Sequence, residues 1–199
     1  MPTVFSSRRS RRVGAALAAA LAVVLAAGAC GDDPFAPKAE NAVANTEFSV
    51  WALTGSPTNF PTVIFVPQRF AARPDPSASF DIGFDIDAMG RVQILPVSRV
   101  MTPLATQRSV GIQVPGTAYA DITAAPRTGW VFDSIVTVDV GQAFIVRVQT
   151  LYCSLELRQE VYAKYVVDSI FPAERRIKIK GRVNPNCGFR SFGDGVPTF

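Results

Sequence analysis

Strict alternation of apolar and polar residues is the feature that most limits what this chain can fold into. Between residues 79 and 87, Phe80, Ile82, Phe84 and Ile86 alternate with Ser79, Asp81, Gly83, Asp85 and Asp87. Successive side chains of a strand point to opposite faces, so this segment is predicted to be a strand with one apolar and one solvated face. A helix, with its period near 3.6 residues, would scatter the same residues around its circumference. Asp87-Ala88-Met89-Gly90 then supplies turn formers, and residues 91–97 return with Val92, Ile94 and Pro96 on one face, the pattern of a hairpin. Further strands are predicted over residues 48–53, 62–66, 109–114, 117–123, 131–138, 143–151, 155–168 and 175–183. Pro57, Pro61, Pro67, Pro74, Pro103, Pro115, Pro126, Gly141 and Pro172 punctuate them, and only residues 155–164 leave room for a competing short helix. With no internal repeat, residues 46–199 are predicted to form one all-β domain. A single antiparallel β-sandwich or a small β-barrel of about eight to ten strands satisfies the pattern.

The first 29 residues follow a different plan. Arg8, Arg9, Arg11 and Arg12 make a positive start, and residues 13–27 then run without a charge. About fifteen apolar residues fall short of the roughly 20 that a helix needs to cross a bilayer, as in a signal peptide. The stretch ends at Ala27-Gly28-Ala29-Cys30, which resembles the lipobox of bacterial lipoproteins, with Ala27 standing where leucine is commoner. The resemblance covers the signal and the tether only. It implies cleavage before Cys30 and transfer of a diacylglyceryl group to that thiol, so that the lipid bilayer is the first partner. Two or more acyl chains hold a protein stably, at about 0.8 kcal/mol per buried CH₂. An ordinary cleaved signal and an uncleaved anchor are the alternatives. A twin-arginine signal fits less well, because Ser10 and Arg11 stand where it has hydrophobic residues. Gly31 follows the cysteine where an aspartate would resemble an inner-membrane retention signal, which points to the outer membrane. Residues 31–45 are polar and proline-interrupted, a predicted flexible tether able to span about 50 Å when fully extended.

Charge and residue inventory narrow the function. The whole chain has 20 basic and 16 acidic side chains, but four of the arginines lie in the signal, leaving 16 of each sign. A balanced domain has no summed field for phosphate backbones, so no nucleic-acid partner is expected. The chain contains no histidine. That removes Ser–His and Cys–His nucleophiles and His-ligated zinc or copper, leaving carboxylate, lysine and oxygen-ligated calcium chemistry. Of the three cysteines, none lies in a C-x-x-C pair. Once Cys30 is acylated, Cys153 and Cys187 remain, and in an oxidising compartment they are predicted to pair, two buried thiols being the alternative. Nothing in the sequence calls for a cofactor or a resident metal.

Two charged faces are candidate binding surfaces. Asp81, Asp85 and Asp87 share the polar side of the strand at residues 79–87. Asp85-x-Asp87-x-x-Gly90 looks like the start of an EF-hand loop, but Met89 and Pro96 stand where ligands are needed. A plain solvated face is the competing reading. Arg176, Lys178, Lys180 and Arg182 alternate with Ile177, Ile179, Gly181 and Val183, a strand with a basic outer face. It suits anionic headgroups, a polyanionic glycan, ion pairs with the acidic strand, or an edge whose charges deter aggregation. The closing segment, residues 184–199, carries Phe189, Phe192 and Phe199 among turn formers, to line a pocket or to plug one end of the fold. Trp51 and Trp130 read as core or cleft residues, and Glu156 with Glu160 is too common a pairing to signal a glycosidase. The expectation is therefore a membrane-tethered, non-catalytic β domain with an interaction or structural role in the cell envelope. Its partner would be an envelope protein, a glycan or a small ligand. The alternatives are a small apolar-ligand carrier with a lipocalin-like cavity and a carboxylate-dependent hydrolase.

Overall fold

The computed structural model describes residues 38–74, 80–101, 109–153 and 158–198. Cys30, the signal, Glu156 and Phe199 lie outside the described residues. Among the described residues, ten strands form two antiparallel sheets. The first contains, in spatial order, β1 (Ala44–Trp51), β10 (Arg176–Asn184), β9 (Glu160–Phe171), β8 (Ala143–Gln149) and β6 (Val110–Gln113). The second contains β3 (Phe70–Ala72), β2 (Val63–Phe65), β4 (Ile82–Ile86), β5 (Val92–Pro96) and β7 (Val136–Val138). Each sheet is open at both ends, so the architecture is a sandwich and not a barrel.

The hairpin read from the alternation is β4–β5, with Ile86 opposite Val92 and Phe84 opposite Ile94. Asp87 N–H donates to Arg91 O at 3.0 Å, and Gly90 closes the turn at φ +79°, the left-handed conformation that glycine adopts without a Cβ penalty. Of residues 155–164, those from Glu160 onward are strand, where β9 begins its twelve residues; residues 155–157 lie outside the described residues. Residues 117–123 do not form a strand; they contain a 3₁₀ turn at Tyr119–Asp121. Of residues 131–138 only Val136–Val138 pairs as a strand, while Val131 makes an isolated bridge to Ile112. The short β3 was not expected from the sequence. Three residues are too few to show a period, and the turn before them turns on Arg69 at φ 59°.

Apolar alternation fills the space between the sheets. Val50, Ile177, Ile179, Val167, Val146 and Ile112 of the first sheet are fully buried against Ile64, Ile82, Phe84 and Ile94 of the second. Fully burying such a side chain contributes about 1.5–3 kcal/mol. Tyr165 is the largest fully buried side chain among the described residues. Its ring packs at 5.3 Å from that of Phe144 and 6.3 Å from that of Phe48. Room for it comes from Gly181, its partner in the β9–β10 register, whose missing side chain would occupy the position of the Tyr165 ring.

The polar side of β4 is not solvated. Gly83 is buried, and a Cβ there would lie 2.9 Å from Val100 and 3.2 Å from Leu53. The helical turn Val97–Val100, which follows β5, covers this face. Asp81 is fully buried and accepts the Val66 N–H at 2.7 Å, while its own backbone bonds Ile64 and Val97. Its carboxylate therefore ties β2 to β4 and binds nothing from solvent. Asp81→Ala strands that buried donor, and is expected to cost about 2 kcal/mol, or roughly 4–8 °C in melting temperature. Thermal unfolding followed by circular dichroism measures it; a change under one degree would show that the contact is dispensable.

Cys153, in the 3₁₀ turn Leu151–Cys153 after β8, is bonded to Cys187 in the turn after β10, with Cα atoms 5.7 Å apart. The disulfide encloses the whole β9–β10 hairpin.

Candidate functional site

The two charged faces named by the sequence lie on different sheets and do not meet as cross-strand pairs. Asp85 takes Arg175 Nη2 at 2.9 Å and the Thr54 hydroxyl at 2.8 Å. This joins the chain just before β10 to β4, one ion pair spanning the two sheets. Asp87 accepts the backbone N–H groups of Met89 and Arg91 at 2.9 Å and the Arg91 guanidinium. The Arg91 backbone bond, opposed by partial burial and reinforced by the guanidinium, holds its carboxyl below the usual range. With Asp81 buried, the three aspartates do three separate jobs. Among the described residues, no three carboxylates or thiols converge as metal ligands.

β10 presents Arg176, Lys178, Lys180 and Arg182 outward, as the alternation predicts, with Ile177, Ile179 and Val183 fully buried. It is not an edge strand: β1 and β9 flank it. Among the described residues, three of the four cations form ion pairs with acids of the same sheet or its loops. Arg176 bonds Glu174 at 2.8 Å and lies 3.8 Å over the Phe171 ring. Lys180 reaches Asp168 at 2.6 Å, and Arg182 pairs with Asp194. Asp168 is the extra residue of a β-bulge at Lys178/Ile179, where the register slips and turns its carboxylate toward the cations. The Lys180 hydrogen bond holds the Asp168 carboxyl low, and the same contact raises the lysine. Exposed pairs of this kind contribute little stability, and they leave the strand face close to neutral.

The same outer face holds a feature the sequence did not suggest. A clip of two segments lies across β8 and β9. Ala125 N–H donates to Arg190 O and Phe192 N–H to Thr123 O, each at 2.8 Å. Beneath it Ile122, Ala125 and Phe192 pack on Ala143, Ile145 and Tyr162. Phe192 thus plugs the outside of a sheet. Phe189 is buried separately with Val43 and Val196, and Trp130 lies 6.1 Å from Tyr162. Asn184 holds the closing segment by donating to Phe189 O at 2.9 Å and Ser191 O at 2.8 Å. Lys164, outward-pointing on β9 yet buried, donates to Tyr119 O and Ile122 O, both at 2.9 Å. Burial, then the neighbouring Arg182, depresses its pKa.

At the border of this clip is a cleft of about 480 Å³ whose lining includes Arg127, Arg147, Arg158 and Arg190. Gln149, Gln159, Glu160 and Tyr162 complete its lining. Each arginine comes from a different stretch of the chain. Arg147 is the outward residue between Val146 and Val148 of β8, held by Glu160 at 2.5 Å and with the Phe132 ring 5.7 Å away. Arg190 is fixed by donating Nη1 to Ala125 O at 2.6 Å. The stem of Arg158 packs on Gly188, where a Cβ would sit 2.7 Å from its own. Burial and the positive charges of Arg127 and Arg158 lower the Arg190 pKa, while burial raises that of Tyr162 and keeps its phenol neutral. Such a cleft offers many hydrogen-bond donors and positive potential. Only the outward position of Arg147 in its strand was readable beforehand. The other arginines lie in loops and come together only through the fold.

No family model, curated protein or solved structure matches the chain.

Proposed function

We propose that this chain is a lipid-anchored β-sandwich of the cell envelope, with a non-catalytic interaction or structural role. The observation that carries the reading is how Asn41, eleven positions after Cys30, is fastened to the domain. Asn41 N–H donates to Asn186 Oδ1 at 2.8 Å, and Asn186 Nδ2 donates back to Asn41 O at 2.7 Å. This reciprocal clamp sits next to Cys187, so a load arriving through the tether reaches the disulfide-closed part of the domain and not a fraying strand end. Val43 is already buried and β1 starts at Ala44, which leaves ten residues between Cys30 and the clamp. Tyr152, 66% exposed, lines a cleft with Asn41 and Pro185, beside the 78% exposed Leu151. An amphipathic tyrosine with a neighbouring leucine suits a surface facing lipid headgroups. The missing histidine and the ion-paired aspartates support binding over catalysis.

Radiolabelled palmitate and cell fractionation test the anchor. The wild type is expected to take up label, lose residues 1–29 and fractionate with membranes, most of it with the outer membrane. Cys30→Ser should take up none. A wild type that stays unlabelled or keeps its first 29 residues overturns the proposal.

A further inference from the structure

We propose that the cleft formed by Arg127, Arg147, Arg158 and Arg190 is a binding site for a phosphate-bearing ligand, a phosphomonoester or diphosphate carrying two or more negative charges. This names a ligand class for the interaction role proposed above and rests on that role; the anchor is tested separately. Convergence carries the inference. Four arginines from four separate stretches of chain line one cleft of about 480 Å³, within the usual range for small-ligand sites. A guanidinium presents a planar fork of donors that matches an oxyanion bidentately. The amides of Gln149 and Gln159 and the phenol of Tyr162 add neutral donors around the same space.

The charge pattern favours phosphate over a single carboxylate. Among the described residues lining the cleft, one carboxylate, Glu160, faces the four cations, and it is engaged by Arg147. Burial first, and then repulsion from Arg127 and Arg158, lowers the Arg190 pKa. A multivalent anion placed among them relieves that repulsion. The positions are also prepared. The Ala125 bond holds the Arg190 guanidinium, and the Gly188 contact holds the Arg158 stem, before any ligand arrives, which reduces the ordering cost of binding.

Calorimetric titration of the full protein in a non-ionic detergent tests the site with two probes. Inorganic pyrophosphate stands for a soluble ligand, and phosphatidic acid doped into the micelles for a lipid headgroup. Saturable binding of either is expected, weakened about tenfold or more by Arg127→Gln with Arg158→Gln, both on the exposed rim. Raising the salt should weaken it as well. Saturation by pyrophosphate identifies a soluble source, and saturation by phosphatidic acid alone a membrane source. Glu160→Gln removes the internal competitor for Arg147 and should tighten binding several-fold, a direction that mere loss of packing would not produce. No binding of either probe, or binding unchanged in the double variant at an unaltered melting temperature, overturns the proposal.

Discussion

Gly181→Ala should lower the stability of this domain by about 3 kcal/mol, the upper end for overpacking a core, and its melting temperature by roughly 6–12 °C. The backbone at Gly181 is an ordinary extended strand, so the cost comes from space and not from conformation. The new methyl group would overlap ring carbons of Tyr165 and lie 2.9 Å from Lys164 O. The ring has nowhere to go, with Phe48 and Phe144 packed on it. Tyr165→Leu shortens the obstructing side chain. Combined with Gly181→Ala it should cost clearly less than the sum of the two single changes, giving a coupling of about 1 kcal/mol or more. Urea unfolding of the four proteins measures the cycle. Strict additivity would mean that the glycine is not there to admit the tyrosine.

Loss of the Cys153–Cys187 bond is the other large effect expected. The two residues are 34 apart in sequence, and opening a loop of that size should remove roughly 3–4 kcal/mol by the chain-entropy account. Cys153→Ala with Cys187→Ala, or reductant alone, should lower the melting temperature by about 10 °C while leaving the β-type spectrum in place. The fold should survive because the β9–β10 hairpin is paired over nine positions inside the loop. Thiol titration of the unfolded protein without reductant should find neither cysteine reactive. Two reactive thiols and an unchanged melting curve would show that the bond does not form.

Particular elements show how far the sequence could be read. The inner face of β10 was legible because Ile177, Ile179 and Val183 all meet one core, so alternation and burial coincide. The same reasoning misplaced Asp81, where Val97–Val100 covers what would otherwise be the wet side of β4. Period two tells which residues share a face, but not whether something lies on top of it. Residues 117–123 alternate as a strand does and instead fold as part of the clip, held by Lys164 and the closing segment. Arg127, Arg158 and Arg190 carry no local pattern at all, and the cleft they form was invisible for that reason.

Taken alone, the sequence determined that this domain is built of strands, which residues of β10 face inward, and where the β4–β5 turn falls. These follow from side-chain period and turn chemistry, which act over a few neighbouring residues. Only the tertiary structure decided that β1 and β9 flank β10, that the sheets stay open as a sandwich, and that four distant arginines share one cleft. Pairings between remote segments are settled by which arrangement buries the whole apolar surface at once, and no local stretch of chain contains that information.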